Sequence, residues 1–292
     1  MANSLRIQNL FSVEGRVAVI TGGGTGGLGA QMAEGLVANG AKVYLVGRKQ
    51  STLQEQVAKL DKISPGKAKY FAMDITIQEE IDKFVKFVEQ SEDAIDLLVN
   101  NAGLAIWGPP ASYLDPLDKL QAGLKASPVD HWKALIATNS WAPYIFTVSF
   151  LHLLARAAQK GDGRGSVVFI TTIGTQSWNP HTNFAGYIST RTGAEHIARI
   201  LAAKLLPHKI RVNILAPGIF PSNATSPNDP QGIANPSVAS TLAPFKRAGT
   251  QEDLVGTIIY LASAASGYVT GARLDVDGGL VLISNGTNKF LP

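Results

Sequence analysis

The fold is decided near the amino end by Val17-Ala18-Val19-Ile20-Thr21-Gly22-Gly23-Gly24-Thr25-Gly26-Gly27-Leu28-Gly29. Its first four residues are apolar and mostly β-branched, which predicts a buried strand, and Ala30 to Val37 predict a helix after the glycines. Glycines at a strand-to-helix turn allow a tight bend and a close approach of the backbone to a phosphate group. The helix then offers unpaired N–H groups and the positive end of its dipole to the same anion. The stretch therefore predicts a binding site for the pyrophosphate of a dinucleotide.

Short apolar runs and amphipathic stretches continue to alternate along the chain. Further strands are predicted at residues 42–46, 69–73, 95–99, 167–170, 210–215 and 272–276, and helices at residues 51–60, 78–90, 129–159 and 186–205. Continuous apolar strands separated by helices are typical of a parallel sheet that is covered on both faces. We therefore expect an α/β fold of the Rossmann type, a doubly wound parallel sheet of about seven strands with helices on both faces. No segment resembles a linker, so residues 1–292 are predicted to form a single dinucleotide-binding domain.

The composition excludes several classes of protein and site. The chain has no cysteine, which excludes disulfides and thiolate chemistry, and its 5 histidines lack the spacing of a metal motif, so no metal is expected. A chain that is 45% hydrophobic and 16% charged is not intrinsically disordered. The net charge of +4 comes from scattered residues, so no nucleic-acid partner is expected. Because no apolar run is long enough to span a membrane and no secretory signal is visible, we expect a cytoplasmic protein without a membrane partner.

The end of the second predicted strand indicates which dinucleotide is bound. Dinucleotide folds commonly place an acidic residue there to hold the ribose 2′-hydroxyl. This chain has Val46-Gly47-Arg48-Lys49 instead. Arg48 can grip a 2′-phosphate with two parallel hydrogen bonds, whereas a carboxylate would repel it. The sequence therefore favours NADP(H) over NAD(H).

Over residues 15–279 the chain resembles the short-chain dehydrogenase/reductase family, in its single-domain branch. The family's glycine loop is matched in spacing by Gly23, Gly27 and Gly29. Thr21 lies one residue too early for the family pattern, so either Gly22 takes the place of the threonine or one glycine is inserted. The remaining motifs follow in the family's order: Asp74, Asn100-Asn101-Ala102-Gly103, Pro217-Gly218 and Asp275-Val276-Asp277-Gly278-Gly279.

The resemblance implies how the dinucleotide is held. Asp74 is expected to contact the adenine, the motif from Asn100 to Gly103 to steady the sheet and the adenosine side, and Pro217-Gly218 to lie beside the nicotinamide. The full set of expected cofactor-binding residues is Gly23, Thr25, Gly27, Leu28, Gly29, Arg48, Lys49, Asp74, Asn101, Tyr187, Arg191, Pro217 and Gly218.

The family's catalytic set is Asn, Ser, Tyr and Lys, with Tyr and Lys in a YxxxK motif. Here Tyr187-Ile188-Ser189-Thr190-Arg191 stands in that place, so arginine replaces the lysine. The spacing puts Tyr187 and Arg191 on one helix face, one turn apart. A fixed cation nearby lowers the pKa of a tyrosine by stabilising the phenolate. The resemblance implies that Arg191 does this and also holds the nicotinamide ribose.

Two more positions complete the catalytic set of Asn139, Thr172, Tyr187 and Arg191. Asn139 matches the family's asparagine and is expected to hold a water in the proton path. The family's serine, which hydrogen-bonds the substrate carbonyl, falls at Thr172. The chain from Thr172 to Tyr187 is longer than the family's usual spacing, so Thr175 is a rival for this role.

The substrate side is predicted in two segments, 104–128 and 220–248, which are rich in Pro, Ser, Asn and Gly and follow strands. Long irregular segments at this edge of an α/β sheet commonly form lids or binding walls. Segment 177–181, Trp141 and His131 are further candidate contacts. The aromatic residues Trp107, Trp178 and Phe220 suggest an apolar substrate. The alternative is that they pack the substrate-side segments against the core.

The sequence thus predicts an NADP(H)-dependent oxidoreductase that interconverts a carbonyl and an alcohol on a small to medium apolar substrate, with Tyr187 exchanging the proton. Two alternatives stay open: a non-redox use of the same fold, as an isomerase, cyclase or dehydratase, and a catalytically inactive cofactor-binding protein. The resemblance also implies a homodimer or homotetramer packed through the helices at residues 129–159 and 186–205.

Overall fold

The computed structural model describes residues 5–24, 26–109, 111–177, 184–222 and 235–284. Its strands are β1 (Val17–Thr21), β2 (Lys42–Gly47), β3 (Ala68–Ala72), β4 (Leu97–Asn100), β5 (Ser166–Ile170), β6 (Arg211–Pro217) and β7 (Arg273–Val276). They form one sheet in the order β3-β2-β1-β4-β5-β6-β7, and every neighbouring pair is parallel. The expected doubly wound α/β fold is therefore confirmed.

Helices connect successive strands. They are α1 (Ile7–Leu10), α2 (Leu28–Ala38), α3 (Gln50–Ile63), α4 (Gln78–Glu89), α5 (Leu117–Lys125), α6 (Val129–Ile136), α7 (Ala142–Ser149), α8 (Leu151–Gln159), α9 (Ala185–Leu205), α10 (Pro236–Leu242), α11 (Gln251–Ala262) and α12 (Leu280–Ser284). One turn of π-helix, Ala137–Trp141, joins α6 to α7.

The five central strands, β2, β1, β4, β5 and β6, are buried on both faces, and alternate residues of each of them enter two different cores. Val19, on one face of β1, packs in a core that contains Phe84 of α4 and Phe146 of α7. Its neighbour Ile20 packs on the other face with Leu36 of α2. This arrangement explains why the strands are continuous apolar runs in the sequence rather than alternating ones.

The strand order reverses between β1 and β4, which lie side by side at the centre of the sheet. In open α/β sheets the ligand crevice lies outside the carboxyl ends of the strands at such a switch point. The glycine loop after β1 and the Asn-Asn-Ala-Gly motif after β4 therefore meet at one place.

Three segments differ from the sequence-based expectation. The predicted substrate-side segment 104–128 contains helix α5, and segment 220–248 contains helix α10. The single helix predicted at residues 129–159 is divided by the π-helical turn and by a second break at Phe150, whose φ and ψ are −99° and 4°. The break at Phe150 lets α8 take a new direction, and the π turn places a polar side chain in the core, as described below.

Candidate active site

The glycine loop carries the chain sharply from β1 into α2. Gly22 has a φ of +71°, and a Cβ on it would lie 2.9 Å from the Cα of Ala102, so only glycine fits there. α2 begins after Gly27, which has no side chain to cap it, and its first turn carries no acidic residue. The first N–H groups of α2 are therefore available to an anion.

The glycines of the loop do two different things. Gly24, Gly26, Gly27 and Leu28 line a large cleft. Gly23 and Gly29 do not line it, and they allow close packing instead. A Cβ on Gly23 would lie 2.7 Å from Leu45, and one on Gly29 would lie 2.6 Å from the carbonyl oxygen of Gly22. Thr25, also predicted to bind the cofactor, lies outside the described residues.

Thr21 and Asn101 join the two loops at the switch point. The hydroxyl of Thr21 accepts hydrogen bonds from the backbone N–H groups of Asn101 and Ala102, each at 3.0 Å. In return, the Asn101 side-chain nitrogen donates to the carbonyl oxygens of Thr21 at 2.9 Å and Gly22 at 3.2 Å. Because Thr21 is fully engaged here, this geometry fits an inserted glycine after Thr21 better than a replacement of the threonine by Gly22.

The cleft that these loops border has a volume of about 1330 Å³. It extends from the end of β2 to the amino end of α9. Most of the sequence-predicted site residues line it: Gly27, Leu28, Arg48, Lys49, Asp74, Asn101, Thr172, Tyr187, Arg191, Pro217 and Gly218. A cleft of this size exceeds the range of about 300–1,000 Å³ usual for small-ligand sites, which is consistent with room for a dinucleotide and a second molecule.

One end of the cleft is basic. Arg48 and Lys49 lie there, and Lys59 of α3 lines the same end, together with one carboxylate, Glu55. Asp74 lies close by, and one of its oxygens accepts hydrogen bonds from the backbone N–H of Thr76 at 2.8 Å and from the Thr76 hydroxyl at 2.7 Å.

Tyr187 and Arg191 lie one turn apart on α9, at the other end of the cleft. The guanidinium carbon of Arg191 is 5.7 Å from the centre of the Tyr187 ring. Arg191 is 8% exposed, and its Nη1 donates to the carbonyl oxygen of Ile170 at 3.0 Å. Its Nε is buried without a hydrogen-bond partner within the chain, as are single polar atoms of a few other buried side chains, such as Arg16 and Arg211.

Gly103 provides the space for the Arg191 guanidinium. A Cβ on Gly103 would lie 1.6 Å from Nη2 of Arg191. Any larger residue at position 103 would therefore displace the guanidinium group. The sequence reveals Gly103 only as part of the Asn-Asn-Ala-Gly motif, and its contact with Arg191 could not be predicted because it joins residues that are distant in the chain.

The two rival threonines face different surroundings. Thr172 lines the cleft, and its hydroxyl accepts a hydrogen bond from the backbone N–H of Gly174 at 3.1 Å. Thr175 instead points its hydroxyl at Glu195 on α9, 2.7 Å from the carboxylate. Of the two, Thr172 is thus the one whose position suits contact with a substrate.

Asn139 lies in the π-helical turn and is fully buried. Its side-chain oxygen accepts from the backbone N–H of Leu104, and its nitrogen donates to the carbonyl oxygen of Leu104, both at 2.9 Å. The same nitrogen lies 3.1 Å from the hydroxyl of Thr190, three residues after Tyr187. Asn139 thus fastens the segment after β4 to α9, and only its oxygen retains a lone pair for a further partner.

The aromatic residues of the substrate side are arranged around Tyr187. The ring of Trp107 is 4.1 Å from the ring of Phe184 and 5.5 Å from that of Tyr187, centre to centre, and it is 48% exposed. Trp107 also lines a second cavity of about 150 Å³, together with His131. Phe220 lines the main cleft but is only 3% exposed, with its ring against Gly249, so it belongs largely to the core.

Two other substrate-side candidates add little to this picture. Of segment 177–181, only Ser177 lies within the described residues, so the predictions for Trp178 and His181 are outside them. Trp141 is 38% exposed at the end of the π turn and does not line either cavity.

The fold is a Rossmann-type α/β fold, and the cleft at the carboxyl ends of its strands contains a tyrosine and a buried arginine. The chain belongs to the short-chain dehydrogenase/reductase family. Residues 23–281 match a family model described as enoyl-(acyl carrier protein) reductase. This match runs from the glycine loop after β1 to the start of α12.

Relatives support the same assignment along nearly the whole chain. The short-chain dehydrogenase/reductase VdtF of Byssochlamys spectabilis is 34% identical, over 95% of this chain and 96% of its own. The rhamnolipids biosynthesis 3-oxoacyl-[acyl-carrier-protein] reductase of Pseudomonas aeruginosa is 29% identical, over 93% of this chain and 98% of its own. Since these relatives are oxidoreductases, they support a redox function.

Solved structures with the same fold include complexes with NADP. The NADP active-site complex of RhlG from Pseudomonas aeruginosa has a TM-score of 0.79 and 28% identity, and covers 93% of this chain and 98% of its own. A gluconate 5-dehydrogenase from Burkholderia cenocepacia, in complex with NADP and tartrate, has a TM-score of 0.78 and 27% identity, and covers 95% of this chain and 99% of its own.

Two other features, a membrane span and a metal site, are absent from the part of the chain that the structure describes. No helix there is long and apolar enough to cross a membrane. No group of three or more His, Cys, Asp or Glu side chains there lies close enough together to hold a metal ion.

Proposed function

We propose that this protein is an NADP(H)-dependent oxidoreductase that interconverts a ketone and an alcohol on a small to medium apolar substrate. One observation carries the proposal: Tyr187 and the buried guanidinium of Arg191 share one cleft with the glycine loop and the basic residues after β2. A proton donor and a dinucleotide site are thus brought within one cavity.

The residues of the cleft fit NADP(H). The first turn of α2 suits the pyrophosphate, Arg48 and Lys49 suit a 2′-phosphate, and the buried Nε of Arg191 lacks a partner that a ribose hydroxyl would supply. When bound, the nicotinamide supplies or accepts the hydride. The NADP complexes of structural neighbours support this choice of cofactor.

Tyr187 is proposed to exchange the proton. In reduction its hydroxyl gives a proton to the carbonyl oxygen, and in oxidation the phenolate takes one from the alcohol. The positive charge of Arg191 stabilises the phenolate, since the guanidinium stays charged in any protein and lies 5.7 Å from the ring. Such positioned acid–base catalysis contributes on the order of 10²–10⁴-fold to the rate.

Thr172 and Asn139 complete the proposed site in different ways. Because the Thr172 hydroxyl accepts its bond from Gly174, its own proton is available to a substrate oxygen. It would therefore polarise the carbonyl group. Asn139 acts mainly through position, because its amide holds Leu104 and Thr190 on either side of the cleft.

The substrate end of the cleft suggests an apolar ketone. Trp107 presents a half-exposed ring beside Tyr187, and Leu104 and Ala134 line the same region. Apolar and aromatic walls with few polar groups are typical of sites for apolar small molecules.

The test is a screen of the purified protein with NADPH or NADH and a panel of ketones: aliphatic, aryl and anionic 2-oxo acids. We expect loss of NADPH absorbance with the apolar ketones and formation of the matching alcohol, identified by mass spectrometry. Tyr187→Phe removes only the phenolic hydroxyl, so turnover should fall by about 10²-fold or more while the Kd for NADPH changes little.

Tyr268→Phe is the matched control. Tyr268 is fully exposed on the segment that leads into β7, so it lies near the amino end of that strand, whereas the cleft lies at the carboxyl ends. Its turnover should equal that of the wild type. Wild-type turnover in Tyr187→Phe would exclude Tyr187 as the proton donor. Conversion of the substrate without net consumption of NADPH would favour a non-redox enzyme, such as an isomerase, cyclase or dehydratase. Tight NADPH binding with no turnover of any ketone would favour a catalytically inactive cofactor-binding protein.

A further inference from the structure

Glu195 is a buried carboxylate on the same helix as Tyr187 and Arg191, and the proposed reaction does not use it. It lies one turn beyond Arg191 on α9, and its side chain is 6% exposed. One of its oxygens, Oε1, receives hydrogen bonds from the hydroxyl of Thr171 at 2.8 Å and from that of Thr175 at 2.7 Å. The same oxygen pairs with Nη1 of Arg273 on β7.

These contacts enclose Thr172 from both sides along the chain. Thr171 precedes it directly, and Thr175 follows in the short 3-10 turn that Thr172 caps. The Thr175 hydroxyl also lies 2.9 Å from the carbonyl oxygen of Thr172 and accepts from Arg273 at 2.5 Å. The segment that carries Thr172 is therefore attached to α9 and β7 through one carboxylate.

The arrangement is costly as a means of stabilisation. Removing a carboxylate and a guanidinium from water carries a large desolvation penalty for each ion, and well-packed apolar residues of similar size often stabilise a core as well or better. Arg273 is also 6% exposed and bonds to Asp275 besides Glu195. A buried ion pair does, however, fix the relative positions of the groups that it joins, because its hydrogen bonds are directional.

We propose that Glu195 and Arg273 are positioning residues. They hold residues 171–176 in a fixed relation to α9, so that the hydroxyl of Thr172 and the phenol of Tyr187 converge on one substrate oxygen. The inference rests on the proposed function, since it assigns these residues to the same site. It predicts that the ion pair affects turnover independently of its effect on stability.

The experiment compares three variants with the wild type. Glu195→Gln removes the charge and retains an oxygen for the two threonines. Glu195→Met/Arg273→Met replaces the pair with apolar side chains. Thr175→Val leaves the ion pair in place and removes only the hydroxyl that joins it to the 3-10 turn. We measure thermal stability, kcat and KM for the best ketone of the screen, and the Kd for NADPH.

We expect kcat to fall about 10-fold or more in all three variants, because small displacements of reacting groups carry large kinetic costs. The Kd for NADPH should stay close to the wild-type value. In the double Met variant the melting temperature should recover relative to Glu195→Gln, while kcat stays low. If the ion pair were merely structural, kcat would recover together with stability in the double Met variant, and this result would overturn the proposal. A wild-type kcat in Thr175→Val would overturn it as well.

Asp96→Asn/Arg164→Met is the matched control. Asp96 is 4% exposed and forms a partly buried ion pair with Arg164 at 2.7 Å, but it directly precedes β4, at the amino ends of the strands, whereas the cleft lies at their carboxyl ends. This control variant should be less stable than the wild type, but its kcat per folded molecule should be unchanged. An equal loss of kcat in the control would show that any buried ion pair matters and would overturn the specific role.

Crystal structures of the wild type and the variants with NADP⁺ provide a readout that needs no turnover. In the double Met variant, or in Thr175→Val if the former fails to fold, the distance between the Thr172 and Tyr187 hydroxyl oxygens should change by about 1 Å, the scale of displacement that matters for catalysis. An unchanged distance would overturn the proposal. If the wild type reduces no ketone, the proposed function fails, and this comparison still decides whether the ion pair positions Thr172.

Discussion

Arg48 and Lys49 are the residues that determine, on this interpretation, which dinucleotide the cleft accepts. Both line the cleft directly after β2. One charge-assisted hydrogen bond contributes about 1.5–3 kcal/mol, so NADPH should bind at least about tenfold more tightly than NADH. Arg48→Asp should reverse this preference, because a carboxylate repels the 2′-phosphate. Fluorescence titration of both cofactors measures it.

Lys62→Asp serves as the control for Arg48→Asp. Lys62 lies in the last turn of α3, whereas Arg48 and Lys49 precede its first turn, so a change of charge there should leave the preference intact. Equal dissociation constants for NADPH and NADH in the wild type would show that Arg48 does not reach the 2′-phosphate.

Arg191 is the residue at which this chain departs most from its family, and its contacts predict a paired outcome. If a fixed positive charge beside Tyr187 is what the site requires, Arg191→Lys should retain substantial activity. Arg191→Met should lose both turnover and affinity for NADPH, because the ribose and the phenolate each lose their cation. Unchanged NADPH binding in Arg191→Met would refute the ribose role, and loss of the reaction in Arg191→Lys with intact binding would indicate that the guanidinium faces the substrate.

Gly103 offers a way to disturb Arg191 without mutating it. In Gly103→Ala the new methyl group would lie 1.6 Å from Nη2, so the guanidinium must move. Since that atom is the end of a flexible side chain, we expect only a small loss of thermal stability, together with weaker NADPH binding. Gly256→Ala is the control because a Cβ there meets no atom within 4 Å, and in a helix alanine is favoured. NADPH affinity equal to that of the wild type in Gly103→Ala would contradict the assigned position of Arg191.

Among the secondary-structure elements, the π-helical turn joins the segment after β4 to α9 through Asn139. Asn139→Ala should destabilise the protein, because the partly buried N–H and C=O of Leu104 lose their partners, at a cost of up to about 1–3 kcal/mol each. Turnover should fall as well, since Thr190 and the segment after β4 are no longer joined. Denaturant unfolding and kcat measure the two effects. Asn39→Ala is the control: Asn39 is exposed and its side chain makes one hydrogen bond, to the carbonyl oxygen of Gly35, so stability and kcat should change little. Equal stability of the two variants would show that Asn139 does not join the segment after β4 to α9.

The elements also show where sequence reasoning succeeds and where it stops. All seven strands were predictable, and the five at the centre of the sheet are apolar runs buried on both faces. The π turn was not, because residues 129–149 have an unbroken helical pattern and the widened turn depends on contacts between Asn139 and Leu104. Helix α5 was missed because its surroundings are rich in Pro, Ser and Gly and it buries no side chain.

The same limit applies to the site. The positions of Tyr187, Arg191 and Thr172 around one cleft follow from motif spacing, because the ends of parallel strands meet at one edge of the sheet. The roles of Gly103 and Glu195 do not, since each depends on a contact between distant parts of the chain. No local pattern distinguishes Glu195 from an ordinary surface glutamate.

At the scale of the whole molecule, exposed apolar residues on α6, the π turn, α7 and α9 predict a homo-oligomer. Ile136, Trp141, Tyr144 and Ile200 are 38–50% exposed, and α7 packs against α9. Since closed symmetric pairs bury such surfaces, we expect a dimer or tetramer, and light scattering should give at least twice the mass of one chain. Tyr144→Arg/Ile200→Arg should shift the population to smaller species because charges at a buried interface cost binding energy. Tyr268→Arg is the control, because Tyr268 is fully exposed before β7 and away from these helices, and it should not change the mass. A monomeric mass for the wild type at all concentrations would refute the prediction.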